Sequence, residues 1–218
     1  MGMNAAMVFL RGFMVPPAAY DKLLAPVRAL GVSVIVPKLY GISALTGRFT
    51  AADEAAAAMS LVRNGMFGLD SARPVWWVGH SRGGQAAWLI ARHLWGSSGA
   101  SGTLPPPAGL IVIDPVDGAG PRPRHRNATR EPVTFPKKPL VVGCGRSGAC
   151  APAAVGYRAF ADACRAAEVV VLPEAGHADV LGGRWLGRAR RLCPGADDPT
   201  AVRTAVSRLL IAHITAAD

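Results

Sequence analysis

Lysine is nearly absent from this chain. Four lysines (Lys22, Lys38, Lys137 and Lys138) stand among 24 Lys+Arg, and 14 Asp+Glu offset them to a net charge of +10. The arginines are spread thinly and no aromatic stacking motif runs among them, which argues against nucleic acid as a partner. Two basic clusters stand out: Pro121-Arg122-Pro123-Arg124-His125-Arg126 with Arg130 beyond, and Arg184, Arg188, Arg190 and Arg191. They read as solvated loops or as a patch drawn to anionic lipid surfaces, a peripheral membrane contact. The cysteines at 144, 150, 164 and 193 form no CxxC pair, which excludes a zinc ribbon or a thioredoxin-type site. They read as buried thiols or as disulfide partners. No apolar run approaches the roughly 18 residues that a membrane-spanning helix needs. The start lacks the basic stretch of a signal peptide, and Ala6 stands where myristoylation requires Ser or Thr. No internal repeat is present.

Half of the 218 residues are apolar and 17% are charged, which excludes global disorder. A chain of this length buries about 70% of its unfolded surface, so one domain over residues 1–218 is expected. Glycine and proline are frequent but without a period, which reads as many tight turns.

Short apolar runs alternate with helical spacings. Ala6–Leu10, 32–37, 74–78, 109–113, 140–142 and 169–172 read as strands, and 18–30, 51–63, 81–94, 153–167 and 200–215 as helices. Strands apolar throughout, alternating with helices, predict a mostly parallel sheet of about six strands covered on both faces. The stretch 115–137 is the one long irregular excursion.

Gly79-His80-Ser81-Arg82-Gly83-Gly84 sits where the third strand stops and a helix starts. Gly-x-Ser-x-Gly alone is weak; between a strand and a helix it reads as a nucleophile elbow. The sharp turn strains the serine backbone, side chains two residues to either side would collide, and Ser81 Oγ is left exposed at the sheet's C-terminal edge. A serine needs a base. Of His80, His93, His125, His177 and His213, only His177 follows a strand at that edge; His80 lies inside the elbow and is expected to point away from Ser81. The acid falls between Ser and His in α/β-hydrolase order. Asp114, at the end of the fourth strand, is the first candidate and Asp117 the second; residues 143–148 after the fifth strand hold no acid. For the oxyanion hole, the backbone N–H of Arg82 and that of Phe13, in the loop after the first strand, are the expected donors. Met14, Val15, Leu181 and Trp185 flank these motifs and are the expected apolar substrate contacts.

The motif at 79–84 resembles the lipase-type motif of chlorophyllases. Val8-Phe9-Leu10-Arg11-Gly12-Phe13 resembles that family's first-strand loop, and Leu110-Ile111-Val112-Ile113-Asp114-Pro115-Val116 its acid-bearing segment. Gly176-His177-Ala178-Asp179-Val180-Leu181 resembles its histidine segment, and Cys150 and Cys164 fall where family cysteines are expected. Arg11 departs from the family's usual His. The resemblance implies an α/β-hydrolase fold, here lacking the usual leading strands, with no cofactor or metal of its own. It implies hydrolysis of the phytyl ester of chlorophyll by Ser81, His177 and Asp114, with a lipophilic ester as the partner molecule. Since the first strand begins near Ala6, any transit segment is expected to be missing from this chain, and the expected compartment is the chloroplast or the cytoplasm. A related esterase, lipase or polyester hydrolase on another lipophilic ester is the alternative. A non-catalytic pigment- or lipid-binding protein is a third reading, against which the intact Ser, acid and His argue.

Overall fold

A computed structural model of the protein describes residues 5–39, 49–66, 68, 74–96, 104, 107–118 and 127–216. His125 and the basic run at 121–126 lie outside the described residues, as does most of the linker after the third strand's helix.

Six strands, β1 (Ala6–Leu10), β2 (Ser33–Ile35), β3 (Val75–His80), β4 (Pro107–Ile113), β5 (Leu140–Cys144) and β6 (Glu168–Leu172), form one sheet in the order β2-β1-β3-β4-β5-β6. Every neighbouring pair is parallel. All strands therefore end at one edge, and the loops that follow them share it. The strand order reverses between β1 and β3, and in open parallel sheets a ligand crevice forms at such a point.

Among the described residues six α-helices cover the faces: α1 (Asp21–Ala29), α2 (Ala51–Arg63), α3 (Arg82–Gly96), α4 (Tyr157–Ala163), α5 (Gly183–Ala189) and α6 (Pro199–Thr215). Successive strand residues point to opposite faces, so Met7 and Phe9 meet Leu23, Leu24 and Val27 of α1 and Val206 and Leu210 of α6. Val8 and Leu10 belong to the opposite cluster, with Ala55 and Ala58 of α2, Ile90 and Ala91 of α3 and Phe160 of α4. The Thr50 side chain accepts from the Asp53 N–H while the Asp53 carboxylate accepts from the Thr50 N–H, which fixes the start of α2.

Two expectations are corrected. The helix expected over 153–167 is confined to α4, preceded by turns that return the chain to the site; the sequence had no strong cap to mark this start. The helix expected from residue 18 begins as a 3-10 turn over Pro17–Tyr20, where Pro17 supplies no N–H. The parallel sheet with helices on both faces is as expected; at its edge β6 leaves Val169 and Val171 about 40% exposed. α5 was not foreseen. Among the cysteines, Cys150 and Cys193 form a disulfide, whereas Cys144 and Cys164 are buried thiols.

Candidate active site

The turn from β3 into α3 holds Ser81 at φ +57°, a left-handed conformation that non-glycine residues rarely adopt. The Ser81 N–H donates to the Ile113 carbonyl (3.0 Å), and its own carbonyl accepts from the N–H groups of Gly84 (2.9 Å) and Val116 (3.2 Å). A Cβ on Gly79 would lie 2.1 Å from the Gly83 carbonyl oxygen, and one on Gly83 would lie 2.2 Å from that of Leu10. The elbow's glycines are thus required by backbone contact. The non-glycine residues with positive φ among the described residues are Met14, Ser81 and Asp114, and all three stand in the loops at this edge. Strain of that kind persists where surrounding bonds enforce it and gathers at functional sites.

Parallel strands bring the candidate residues together across long sequence distances. His177 Nε2 lies 2.9 Å from Ser81 Oγ, and His177 Nδ1 lies 2.6 Å from Asp114 Oδ2. Asp114 is fully buried and also accepts from the Cys144 N–H (3.1 Å) and the Ser147 hydroxyl. Asp117 is equally buried but turned away. Its carboxylate accepts from the Gln85 side chain, the N–H groups of Asn127, Ala128 and Thr129, and the Thr129 hydroxyl. Those donors hold residues 127–129 against Asp117, which makes no contact with a histidine among the described residues.

The histidine loop is pinned from beneath by Asp179, which the sequence reading quoted but did not assign. Its buried carboxylate accepts from the N–H groups of Gly176 (2.8 Å) and Ala196 (2.6 Å) and from the Arg190 guanidinium (2.6 and 2.9 Å). Arg190 is therefore not part of a free basic patch. Arg203 of α6 donates to the Leu181 carbonyl (2.9 Å) on the same loop. Ser147 is a second residue that sequence reasoning missed; only its place after a strand at the shared edge could have marked it. His80 was expected to point away from Ser81; its ring packs on that of His177, with centroids 4.8 Å apart, and its two nitrogens lie against the Tyr20 hydroxyl and the His177 carbonyl oxygen.

The oxyanion-loop expectation concerns Phe13 and Arg82. Arg11 holds that loop, donating to the Pro37 and Val15 carbonyls, so the family's departure at position 11 keeps a structural function. The Arg82 guanidinium pairs with Glu54 of α2 (3.5 Å) and lies 5.4 Å from the centroid of the Phe13 ring. The two residues expected to donate to an oxyanion are thus in contact through a side chain.

A cavity of about 490 Å³ opens over Ser81 and His177. Phe13, Val15 and Leu181 line it, together with Val116, Val155 and the Cys150–Cys193 disulfide region. Met14 and Trp185 stand outside the lining. Met14 is about half exposed, and Trp185 packs against the core beneath the Arg184 and Arg188 guanidinium groups (5.4 and 5.1 Å). At the rim, Leu192 is 80% exposed. No described helix is long and apolar enough to cross a membrane.

The chlorophyllase family model matches residues 1–217. The chain belongs to the chlorophyllase family. Chlorophyllase-2 from Arabidopsis thaliana is 27% identical over 240 residues, covering 96% of this chain and 72% of that protein. Among solved structures, a sugar hydrolase from Lactococcus lactis superposes with a TM-score of 0.62 at 15% identity, covering 100% of this chain and 92% of its own. A thermophilic esterase from Thermogutta terrifontis gives 0.57 at 18% identity, covering 88% and 83%. At these identities the structural likeness establishes the α/β-hydrolase fold, and the family match makes this chlorophyllase-family chain a hydrolase of the esterase type.

Proposed function

We propose that this protein is a serine carboxylesterase that cleaves the phytyl ester of chlorophyll to chlorophyllide and phytol, with Ser81, His177 and Asp114 as its catalytic residues. The observation that carries the reading is the unbroken line from Asp114 Oδ2 through His177 to Ser81 Oγ, at 2.6 and 2.9 Å, on the floor of an apolar cavity. His177 Nε2 takes the Ser81 proton as Oγ attacks the ester carbonyl. The developing oxyanion accepts hydrogen bonds from the backbone N–H groups of Arg82 and Phe13. On collapse, His177 Nε2–H protonates the departing phytol oxygen and leaves a chlorophyllide acyl group on Ser81. Water, deprotonated by the same imidazole, then releases the acid and restores the hydroxyl. Asp114 holds the Nδ1–H tautomer throughout and stabilises the imidazolium. The magnesium ion belongs to the substrate and takes no part in these steps.

A cavity of about 490 Å³ is of ordinary size for one ligand. It suits the reacting ester and part of an alkyl chain, with the flat macrocycle lying across the rim on Phe13, Met14 and Leu192. The experiment is hydrolysis of chlorophyll a in detergent micelles against p-nitrophenyl esters of short and long acids. The reading requires chlorophyllide formation at a kcat/KM above that for the aryl esters. Turnover of aryl esters with none of chlorophyll would reduce it to a related esterase on another lipophilic ester.

A further inference from the structure

Two buried residues outside the reacting line join its two halves. The Tyr20 hydroxyl, at the end of the 3-10 turn before α1, accepts from the Gly12 N–H at 2.8 Å in the oxyanion loop. The same hydroxyl lies 2.8 Å from His80 Nδ1. His80 Nε2 lies 3.0 Å from the His177 carbonyl oxygen. Tyr20 is fully buried and His80 nearly so. A Cβ on Gly12 would meet Tyr20 Oη at 3.0 Å and His80 Nδ1 at 3.1 Å, so the oxyanion loop rests directly on this pair.

We infer that Tyr20 and His80 form a hydrogen-bonded chain that fixes the oxyanion loop and the catalytic histidine relative to each other, both acting as positioning residues for the ester chemistry. This rests on the reading of Ser81 and His177 as nucleophile and base.

The proton positions follow from elementary roles. A carbonyl only accepts, so His80 Nε2 must carry hydrogen to bond the His177 oxygen. Burial, with the neighbouring His177 ring, holds the His80 pKa well below its ordinary value, so the ring is neutral. Nδ1 is then an acceptor and must receive the Tyr20 O–H. Burial also pushes the Tyr20 pKa upward, against the lowering effects of the Gly12 N–H and Arg11, so that proton stays in place. The Tyr20 lone pair remains for the Gly12 N–H. Each member thus has one assignment, and reversing any one breaks the next. The charged and titratable groups facing the pair are His177, Arg11 and Glu54. Glu54, the carboxylate among them, pairs with Arg82 and acts on Tyr20, and His80 is turned by its two nitrogens to Tyr20 and the His177 carbonyl.

The direct test is nitrogen NMR of histidine-labelled protein between pH 5 and 9, with kinetics on a soluble short-chain ester for Tyr20→Phe, His80→Gln and the double variant. The expected spectrum shows His80 as the neutral Nε2–H tautomer throughout. Tyr20→Phe is expected to lower kcat by roughly 10–100-fold, the cost of slightly misplaced reacting groups, with KM little changed. The double variant should be no worse than the poorer single variant, because a chain once cut cannot be cut again. A titrating His80, an Nδ1–H tautomer, or multiplicative losses in the double variant would overturn the inference. Should His80→Gln fail to fold, the wild-type spectrum and Tyr20→Phe still decide. An active-serine fluorophosphonate that leaves Ser81 of the wild type unlabelled would instead count against the esterase reading, with the tautomer still measured.

Discussion

Asp114→Asn and Asp117→Asn make an instructive pair, because both carboxylates are buried and only three residues apart. Asp114 Oδ2 receives both His177 Nδ1 and the Ser147 hydroxyl, and Oδ1 receives the Cys144 N–H. An asparagine amide that places its NH2 at Oδ2 forces His177 Nδ1 to accept, which puts the imidazole proton on Nε2 and removes the base facing Ser81. With the NH2 at Oδ1 instead, the Cys144 N–H is left facing another donor. The first arrangement keeps more bonds, since the Ser147 hydroxyl can turn to accept and also donate to the Cys144 carbonyl. A tautomer exchange of this kind costs on the order of 10⁴ in kcat, about 5.4 kcal/mol. Asp117 contacts no histidine among the described residues. Its Asn variant sets an NH2 against the Thr129 N–H and weakens the other charge-assisted bonds, with a stability cost of about 2–4 kcal/mol. For a chain of this size that lowers Tm by roughly 4–16 °C. The assay is kcat per folded molecule, with folded protein counted by near-ultraviolet circular dichroism, alongside thermal unfolding. The account requires a large kcat loss with a modest Tm change for Asp114→Asn, and the reverse for Asp117→Asn. If Asp117→Asn instead removes activity from fully folded protein, the acid has been misassigned.

Gly83→Ala should abolish soluble expression or lower Tm severely, because its Cβ would fall 2.2 Å from the Leu10 carbonyl oxygen; a variant of normal stability would contradict the packing of α3 on β1. Because the folded-state pKa of His80 is depressed, the unfolded chain binds a proton below about pH 6.5 that the folded chain refuses. Stability from this residue is complete above pH 6.5 and is lost as pH falls, by at most about 1.4 kcal/mol per pH unit. Urea unfolding between pH 5 and 7 should therefore show a steeper slope for wild type than for His80→Gln, and equal slopes would refute it. Finally, Arg184 and Arg188, stacked over Trp185 on the helix that ends at the cavity-lining Ala189, should favour chlorophyll in anionic over neutral liposomes, with a preference that rising salt removes and a soluble ester does not share. Equal rates on both membranes at every salt concentration would exclude the membrane contact.

The parallel sheet was legible because its strands are apolar runs and its turns carry glycine. The elbow was legible for the same local reason: Gly79, Ser81 and Gly83 fall between a strand and a helix. His177 and Asp114 were proposed from chain order and from their place just after strands, which is informative when all strands end at one edge. What the sequence did not disclose depends on contacts between distant residues. Ser147 is an ordinary loop serine until β4 and β5 bring it to Asp114, 33 residues away. Asp114 was preferred to Asp117 for its place at the end of a strand, but the Gln85 and Asn127–Thr129 donors that occupy Asp117 could not be read from the sequence. The partners of His80 were not legible, because Tyr20 stands 60 residues earlier. α5 is seven residues long, with glycine at positions 183 and 187, and carries no amphipathic pattern long enough to detect.

The central claim, that Ser81 is the nucleophile of an ester hydrolase, is tested most directly by reaction with a fluorophosphonate followed by peptide mapping. A single adduct on Ser81, formed in step with the loss of ester hydrolysis and absent from Ser81→Ala, is the predicted result. An adduct on another residue, or a Ser81→Ala variant that keeps more than about a tenth of wild-type turnover, would contradict it.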